Sequence, residues 1–110
     1  MHPDRPPTAF EEKVYDAVRM VPFGRVTTYK LLGKAIGCRS SQAIGQALKR
    51  NPFAPATPCH RIIKTDLSIG GFGGEHVGEE ILRKLKLLKK EGVEFDKDGM
   101  LVEPERLYEF

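Results

Sequence analysis

"RVTTYKLLGKAIGCRSSQAIGQALKR", residues 25–50, contains two short amphipathic segments divided by a turn. Thr28 is suited to cap the first, and Leu31, Leu32, Ala35 and Ile36 behind it share one helical face. Gly37 closes that helix, because glycine takes the left-handed conformation of a helix end at little cost. Ser40 or Ser41 caps the second helix, which runs to about Arg50. It turns Ala43, Ile44, Ala47 and Leu48 inward and leaves Gln42, Gln46, Lys49 and Arg50 outside. Two helices joined by a tight glycine-containing turn, the second polar and basic on its outer face, form a helix-turn-helix pattern.

Any helical hairpin shares that pattern, so the charge around it carries weight. Residues 25–64 hold eight Lys and Arg and no Asp or Glu, against a whole-chain net charge of only +3. The rest of the chain is left with ten basic and fifteen acidic residues. A solvated helix face mixes signs, so an acid-free window of this size points to a polyanion, and nucleic acid comes first.

Working outward, residues 1–7 read as a proline-rich, disordered lead-in and residues 8–110 as one domain, the size of a single modest core. Thr8 and Glu11 form a capping box for a helix burying Phe10, Val14, Ala17, Val18 and Val21, ended by Pro22 and Gly24. A short extended piece is expected at residues 25–27. Beyond the helix pair, the prolines of "NPFAPATP" exclude helix and central strand. "HRIIK" fits a short strand, and "DLSIGGFGGEH" a flexible loop around one aromatic. Residues 79–90 read as a helix with Ile81, Leu82, Leu85 and Leu88 inward, acids first and lysines last. "VEFDKDGMLV" fits a hairpin turning at Asp98-Gly99. The expected class is mainly α with a small β component, a winged helix-turn-helix-like DNA-binding domain.

No apolar run approaches the roughly 20 residues of a membrane span, and the start lacks a signal-peptide core. A monomer in the cytoplasm or nucleoid (the nucleus in a eukaryote) is expected. Cys38 and Cys59 are then expected as free thiols. His2, His60 and His76 show no metal-ligand spacing, and neither metal nor cofactor is expected.

"NPFAPATPCHRIIK", residues 51–64, carries the chemistry. The plain reading of Cys59 is a small buried residue in a turn. The alternative is a nucleophile, which must lose its proton to a base or a positive environment. His60 is adjacent, but neighbours on a strand face opposite ways, so a bridging water or a bend at Pro58 would be needed. Glu91, which ends the lysine run before Gly92, is the carboxylate that could orient the imidazole.

"NPFAPATPCHRII" resembles the active-site signature of the O6-alkylguanine-DNA alkyltransferases, Pro-Cys-His-Arg followed by two aliphatics. "VPFGRVTTY", "AIGQALKRNP", "IGGFGG" and "LLKKEG" follow that family's order and spacing, over residues 10–93. The chain resembles the carboxy-terminal, DNA-binding catalytic domain alone, without the amino-terminal domain of longer members. The resemblance implies that the second helix enters the minor groove of double-stranded DNA containing O6-alkylguanine. The damaged base then rotates into a pocket, since it cannot react inside the stack. It implies Cys59 as acceptor thiolate, His60 as water-mediated base, Glu91 as its orienting carboxylate and Asn51 as the tie to the proline loop. Tyr29 would hydrogen-bond the base and help neutralise guanine as it leaves. Pro58, Ile62, Phe72 and the Gly73 backbone would complete the pocket. Thr28, Arg39, Ser41, Gln42, Ala43, Gly45, Gln46, Lys49 and Arg50 would face DNA. The thioether has no means of reversal, so one turnover per molecule is implied.

Two departures stand out. Gln42 occupies the place where the family carries an arginine that fills the gap left by the extruded nucleotide, and the segment is one residue shorter. Gln42 lacks that planar charged fork, and Arg39 is the available substitute. Phe72 and Gly73 stand where tyrosine and serine are frequent. Alkyltransferase-like proteins bind the same lesions without chemistry and pass them to other repair proteins. Their mark is loss of the motif cysteine, commonly to tryptophan, whereas this chain keeps Cys59 and has no tryptophan. A winged-helix regulator would explain the basic window but not "PCHRI". Cys38 reads as a small turn residue and His76 as a loop residue.

Overall fold

The computed structural model describes residues 6–52, 57–69 and 78–110. In chain order these form α1 (Ala9–Met20), β1 (Thr27–Thr28), α2 (Tyr29–Ile36), α3 (Ser41–Lys49), a 3-10 turn at Cys59–Arg61, β2 (Ile62–Ile63), α4 (Glu79–Lys90) and a 3-10 turn at Pro104–Arg106. The class is the expected one, mainly helical with a small sheet and a helix-turn-helix-like centre. Residues 1–5, which hold most of the proposed lead-in, lie outside the described residues.

The capping box of α1 is present: Glu11 N–H donates to Thr8 Oγ1 at 3.1 Å, and Thr8 N–H donates to Glu11 Oε1 at 2.9 Å. Val14, Val18 and Val21 are fully buried, as periodicity predicts. So is Tyr15, which the apolar stripe omitted; its hydroxyl donates to the Ala47 carbonyl at 2.7 Å and ties α1 to α3. A buried tyrosine needs such a partner, because an unpaired hydroxyl in the core is costly.

Thr28 caps α2 by accepting from Leu31 N–H at 3.1 Å, and Ser40, not Ser41, caps α3 by accepting from Ala43 N–H at 3.0 Å. The inner face of α2 is rotated from expectation: Leu32 and Gly33 are buried, while Ala35 is exposed. The cause is the tight turn. Cys38 N–H bonds the Gly33 carbonyl at 2.8 Å, and a Cβ on Gly33 would lie 2.4 Å from the Cys38 oxygen. Only glycine lets the turn fold back so closely. On α3, Ile44, Ala47 and Leu48 are buried and Gln42, Gln46, Lys49 and Arg50 are exposed, as read; Ala43 is half-buried.

The extended piece lies at Thr27–Thr28 rather than residues 25–27. It pairs in parallel with β2, Thr27 opposite Ile62 and Thr28 opposite Ile63. Ile62 joins the core of α1, α2 and α3, whereas Ile63 joins a second core with Val26, Leu88, Val93 and Leu101. One strand thus stitches two cores, because successive side chains point to opposite faces. The C-terminal segment adds to the sheet through a parallel bridge of Val26 with Leu107. The turn at Asp98-Gly99 is present, with Gly99 at φ 80° and Phe95 bridging Leu101. Helix α4 departs most from its expected face: Leu88 is buried, but Leu82 is 64% exposed and Lys84 only 1% exposed.

Candidate active site

Cys59 begins a 3-10 turn rather than a strand, which removes the objection that Cys59 and His60 must face opposite ways. The preceding Pro58 sits at φ −82° and ψ 69°, and Cys59 N–H donates to the Thr57 carbonyl at 2.8 Å. Asn51, buried, donates from Nδ2 to that same carbonyl at 3.0 Å and also hydrogen-bonds the Cys59 side chain. Asn51 therefore holds the entry to the turn.

Glu91 caps the C-terminus of α4 and is the hub behind His60. Its Oε2 lies 2.7 Å from His60 Nε2. Arg61 grips both carboxylate oxygens, Nε to Oε1 at 2.9 Å and a terminal nitrogen to Oε2 at 3.0 Å. Gly24 N–H adds a bond to Oε1 at 3.0 Å. Arg61 also donates to the Val21 carbonyl at 2.8 Å and lies over the Phe23 ring. Chain segments far apart in sequence thus converge on one carboxylate, a bidentate arrangement that fixes direction as well as charge.

Burial pushes the Glu91 carboxyl up, but hydrogen bonds from Arg61, His60 and Gly24 outweigh it and hold the group below its ordinary value. An ionised Glu91 accepts a hydrogen bond from His60 Nε2–H, which fixes the tautomer and leaves Nδ1 as an acceptor. Burial lowers the His60 pKa despite Glu91, so the ring is neutral at pH 7. Burial also raises the Cys59 thiol, against the Asn51 hydrogen bond and the charge of Lys84, which pull it down. Tyr29 is raised by burial and then by the charge of Cys59, so its hydroxyl keeps its proton. The arrangement holds a protonated thiol, a neutral base and a proton donor in one place.

Tyr29 lines two clefts. One, of about 470 Å³, lies between Ser41, Gln42 and Gly45 of α3 and Lys64, Thr65 and Asp66 after β2. The other, of about 730 Å³, includes Lys30, Lys34 and Arg39. Among residues expected to face DNA, Arg39, Ser41, Gln42, Gln46 and Lys49 are exposed, and Ala43 and Gly45 are half-buried. Two others are engaged within the fold. Thr28 is 3% exposed with its hydroxyl engaged in the helix cap, so it acts on a ligand only through the helix it starts. Arg50 is exposed but pairs with Glu11 of α1 at 3.5 Å. Pro58 and Ile62 are buried on either side of the turn, and Phe72 and Gly73 lie outside the described residues, as does His76.

The acid-free window therefore divides. Arg25 donates to the carbonyls of Arg106 and Leu107, Arg61 to Glu91 and Arg50 to Glu11. Lys30, Lys34, Arg39, Lys49 and Lys64 are the exposed cations left facing outward. Sequence reasoning missed Arg61 as a partner of Glu91 and missed Lys84. Lys84 carried a signal, since it stands three residues after Ile81 and four before Leu88, on the inward stripe. No described helix is long and apolar enough to cross a membrane. No cluster of three or more His, Cys, Asp or Glu that could hold a metal occurs among the described residues.

Residues 9–93 match the family model described as 6-O-methylguanine DNA methyltransferase, DNA binding domain. A protein of Thermus thermophilus named DNA base-flipping protein is 41% identical over 80 residues, covering 73% of this chain and 50% of that protein. A methylated-DNA–protein-cysteine methyltransferase of Metallosphaera sedula is 42% identical over 77 residues, 70% of this chain and 46% of the relative. The chain thus spans about half the length of these curated relatives. The crystal structure of S. pombe Atl1 in complex with damaged DNA containing O6-carboxymethylguanine superimposes with a TM-score of 0.76 at 28% identity, covering 92% of this chain and 95% of Atl1.

Proposed function

The chain belongs to the 6-O-methylguanine DNA methyltransferase family, and on that premise we propose that it repairs double-stranded DNA by taking the alkyl group of O6-alkylguanine onto Cys59. The observation that carries this reading is the His60–Glu91 pair behind the Cys59 turn, at 2.7 Å. The family model is that of a DNA-binding domain, and Cys59, His60 and Glu91 all lie inside the residues it matches.

In the proposed reaction the thiol proton passes through a water to His60 Nδ1, and Glu91 stabilises the imidazolium. The sulfur attacks the alkyl carbon, the carbon–O6 bond breaks, and guanine leaves with a proton from Tyr29. The proton count closes when His60 returns its proton to the Tyr29 phenolate through solvent. The resulting thioether is not hydrolysed, so each molecule acts once. Lys30, Lys34, Arg39, Lys49 and Lys64 supply phosphate contacts around α3, which enters the minor groove. Phe72 and Gly73 cover the extruded base, and Gln42 or Arg39 fills the gap it leaves. The protein works as a monomer where DNA is, in the nucleoid or nucleus.

Intact-mass spectrometry after incubation with an O6-methylguanine duplex tests this. Wild type should gain one methyl per molecule, and Cys59→Ala should gain none while still binding. A second reading is favoured by the near-complete mutual coverage with Atl1: a lesion-binding protein that presents O6-alkylguanine to other repair proteins. A wild type that binds the duplex tightly and stays unmodified would establish that reading and end the first.

A further inference from the structure

Lysine is among the residues least often found buried, yet Lys84 is 1% exposed. Its Nζ donates to the Ile62 carbonyl at 2.7 Å. Ile62 in turn closes the 3-10 turn of the nucleophile, its N–H donating to the Cys59 carbonyl. Helix α4 thus presents a buried amine to the residue that closes the turn carrying the thiol, and the same helix ends at Glu91. One element sets both groups against Cys59–Arg61, seven residues apart along it.

We infer that Lys84 is the cationic partner of Cys59, a positioning residue whose buried ammonium stabilises the thiolate that accepts the alkyl group. The titratable and charged groups around the thiol are Tyr29 at the start of α2, His60 and Arg61 in its own turn, and Lys84 and Glu91 from α4. Glu91 is engaged by His60 and Arg61. His60 is neutral at rest, so the imidazole supplies no positive charge before the proton moves. Burial pushes Lys84 down to about 7, the charge of Cys59 pulls it back up, and Lys84 reciprocally pulls the thiol down. The two charges favour one another: an ammonium at Lys84 lowers the cost of the thiolate that forms once the thiol proton has left. His60 and Lys84 then have different duties: one receives the proton, the other holds the charge that remains.

The inference deepens the alkyl-acceptor reading of Cys59, but its test uses no DNA. The full chain is treated with iodoacetamide across pH, and modification is followed by peptide mass to separate Cys59 from Cys38. The sulfur–carbon bond forms as iodide leaves, so the rate reports the thiolate fraction. Wild type and Lys84→Arg should share a midpoint. Lys84→Gln, which keeps a donor for the Ile62 carbonyl but no charge, should shift it upward and slow the reaction at pH 7 about tenfold, one pH unit. Circular dichroism confirms each fold, and urea unfolding of the Arg and Gln variants separates a change in stability from a change in midpoint. If Lys84→Gln titrates like wild type, Lys84 is only a backbone donor and the inference is overturned. If the Gln midpoint moves while wild type takes no methyl from lesion DNA, the inference stands and the alkyl-transfer reading falls.

Discussion

The helix pair α2–α3 and the Cys59–Glu91 region obey different rules. In the helix pair, apolar residues point in, polar and basic residues point out, and each cap is the residue type that capping demands. Its outward cations stand in solvent, where any one contributes little and salt screens them all. Around Cys59 the polar groups point in: His60, Asn51, Lys84 and the Glu91 side chain are nearly excluded from water. There each group depends on its partner, because a buried charge without one is severely penalised. A surface built from interchangeable charges suits contact with a repeating phosphate backbone. A buried set of mutually dependent charges suits one reaction at one atom. Substitutions in the second region should therefore cause large, non-additive losses, and those in the first small, graded ones.

The severest break should be Glu91→Gln. It leaves Arg61 without its counter-charge and replaces one of the two acceptor oxygens that Arg61 and His60 share with a donor, a loss of about 3 kcal/mol or more in urea unfolding. The pH dependence gives a second handle. A depressed carboxyl contributes stability that is whole above its unfolded value of 4.5 and drains as pH falls through the folded value. His60, held below 6.5, drains stability in the same direction once the unfolded chain takes up its proton. Wild-type stability should therefore fall on acidification, and the limb below about pH 4.5 should be shallower in Glu91→Gln. An unchanged acid limb would place the carboxylate outside the buried network.

Next in size is Gly33→Ala, the one place where the helix pair is as unforgiving as the site. The added Cβ meets a backbone carbonyl, and about 1–3 kcal/mol should be lost. Gly45→Ala on α3, where the new Cβ meets nothing within 4 Å, should instead stabilise by roughly 0.5–1 kcal/mol through helix propensity. Comparable losses at both positions would show that α3 is not free on that face.

Smaller again is the effect of Gln42→Arg. If the missing arginine limits base extrusion, transfer from duplex DNA should quicken by up to about tenfold, the equivalent of 1.4 kcal/mol. Free O6-benzylguanine, which needs no extrusion, should react as before. If Arg39 already fills the gap, Arg39→Ala will slow the duplex reaction selectively instead. The smallest change should come from Lys49→Ala: slightly weaker binding to every sequence, with the salt slope reduced by about one. Arg50→Ala, whose charge is already shared with Glu11, should reduce that slope less. A Lys49→Ala effect that depended on sequence would assign Lys49 to a base edge.

The helix pair was legible because its determinants are local. Thr28, Gly37 and the serine before α3 each act on residues a few positions away, so spacing alone predicts the caps. The rotated face of α2 was not legible, since it depends on how closely the Cys38 turn approaches Gly33. At the site, Cys59, His60 and Glu91 could be singled out from motif and position. The 3-10 turn that carries the first two could not, because the strand pattern of "HRIIK" covers Ile62 and Ile63 equally well.

The sequence by itself determined the mainly helical class, the capped helix pair, the basic window and the family to which the chain belongs. Those rest on periodicity, capping chemistry and motif order, all of which survive without coordinates. Tertiary structure alone decided which charges serve what. It paired Arg25, Arg50 and Arg61 with carbonyls and carboxylates of other segments, and left Lys30, Lys34, Arg39, Lys49 and Lys64 facing outward. It also buried Lys84 against the Cys59 turn, where periodicity had set only leucines and an isoleucine. The physical reason is range. A cap or an apolar stripe is settled within a turn or two of chain, whereas the state of a charge is settled by burial and by partners brought from 30 to 80 residues away.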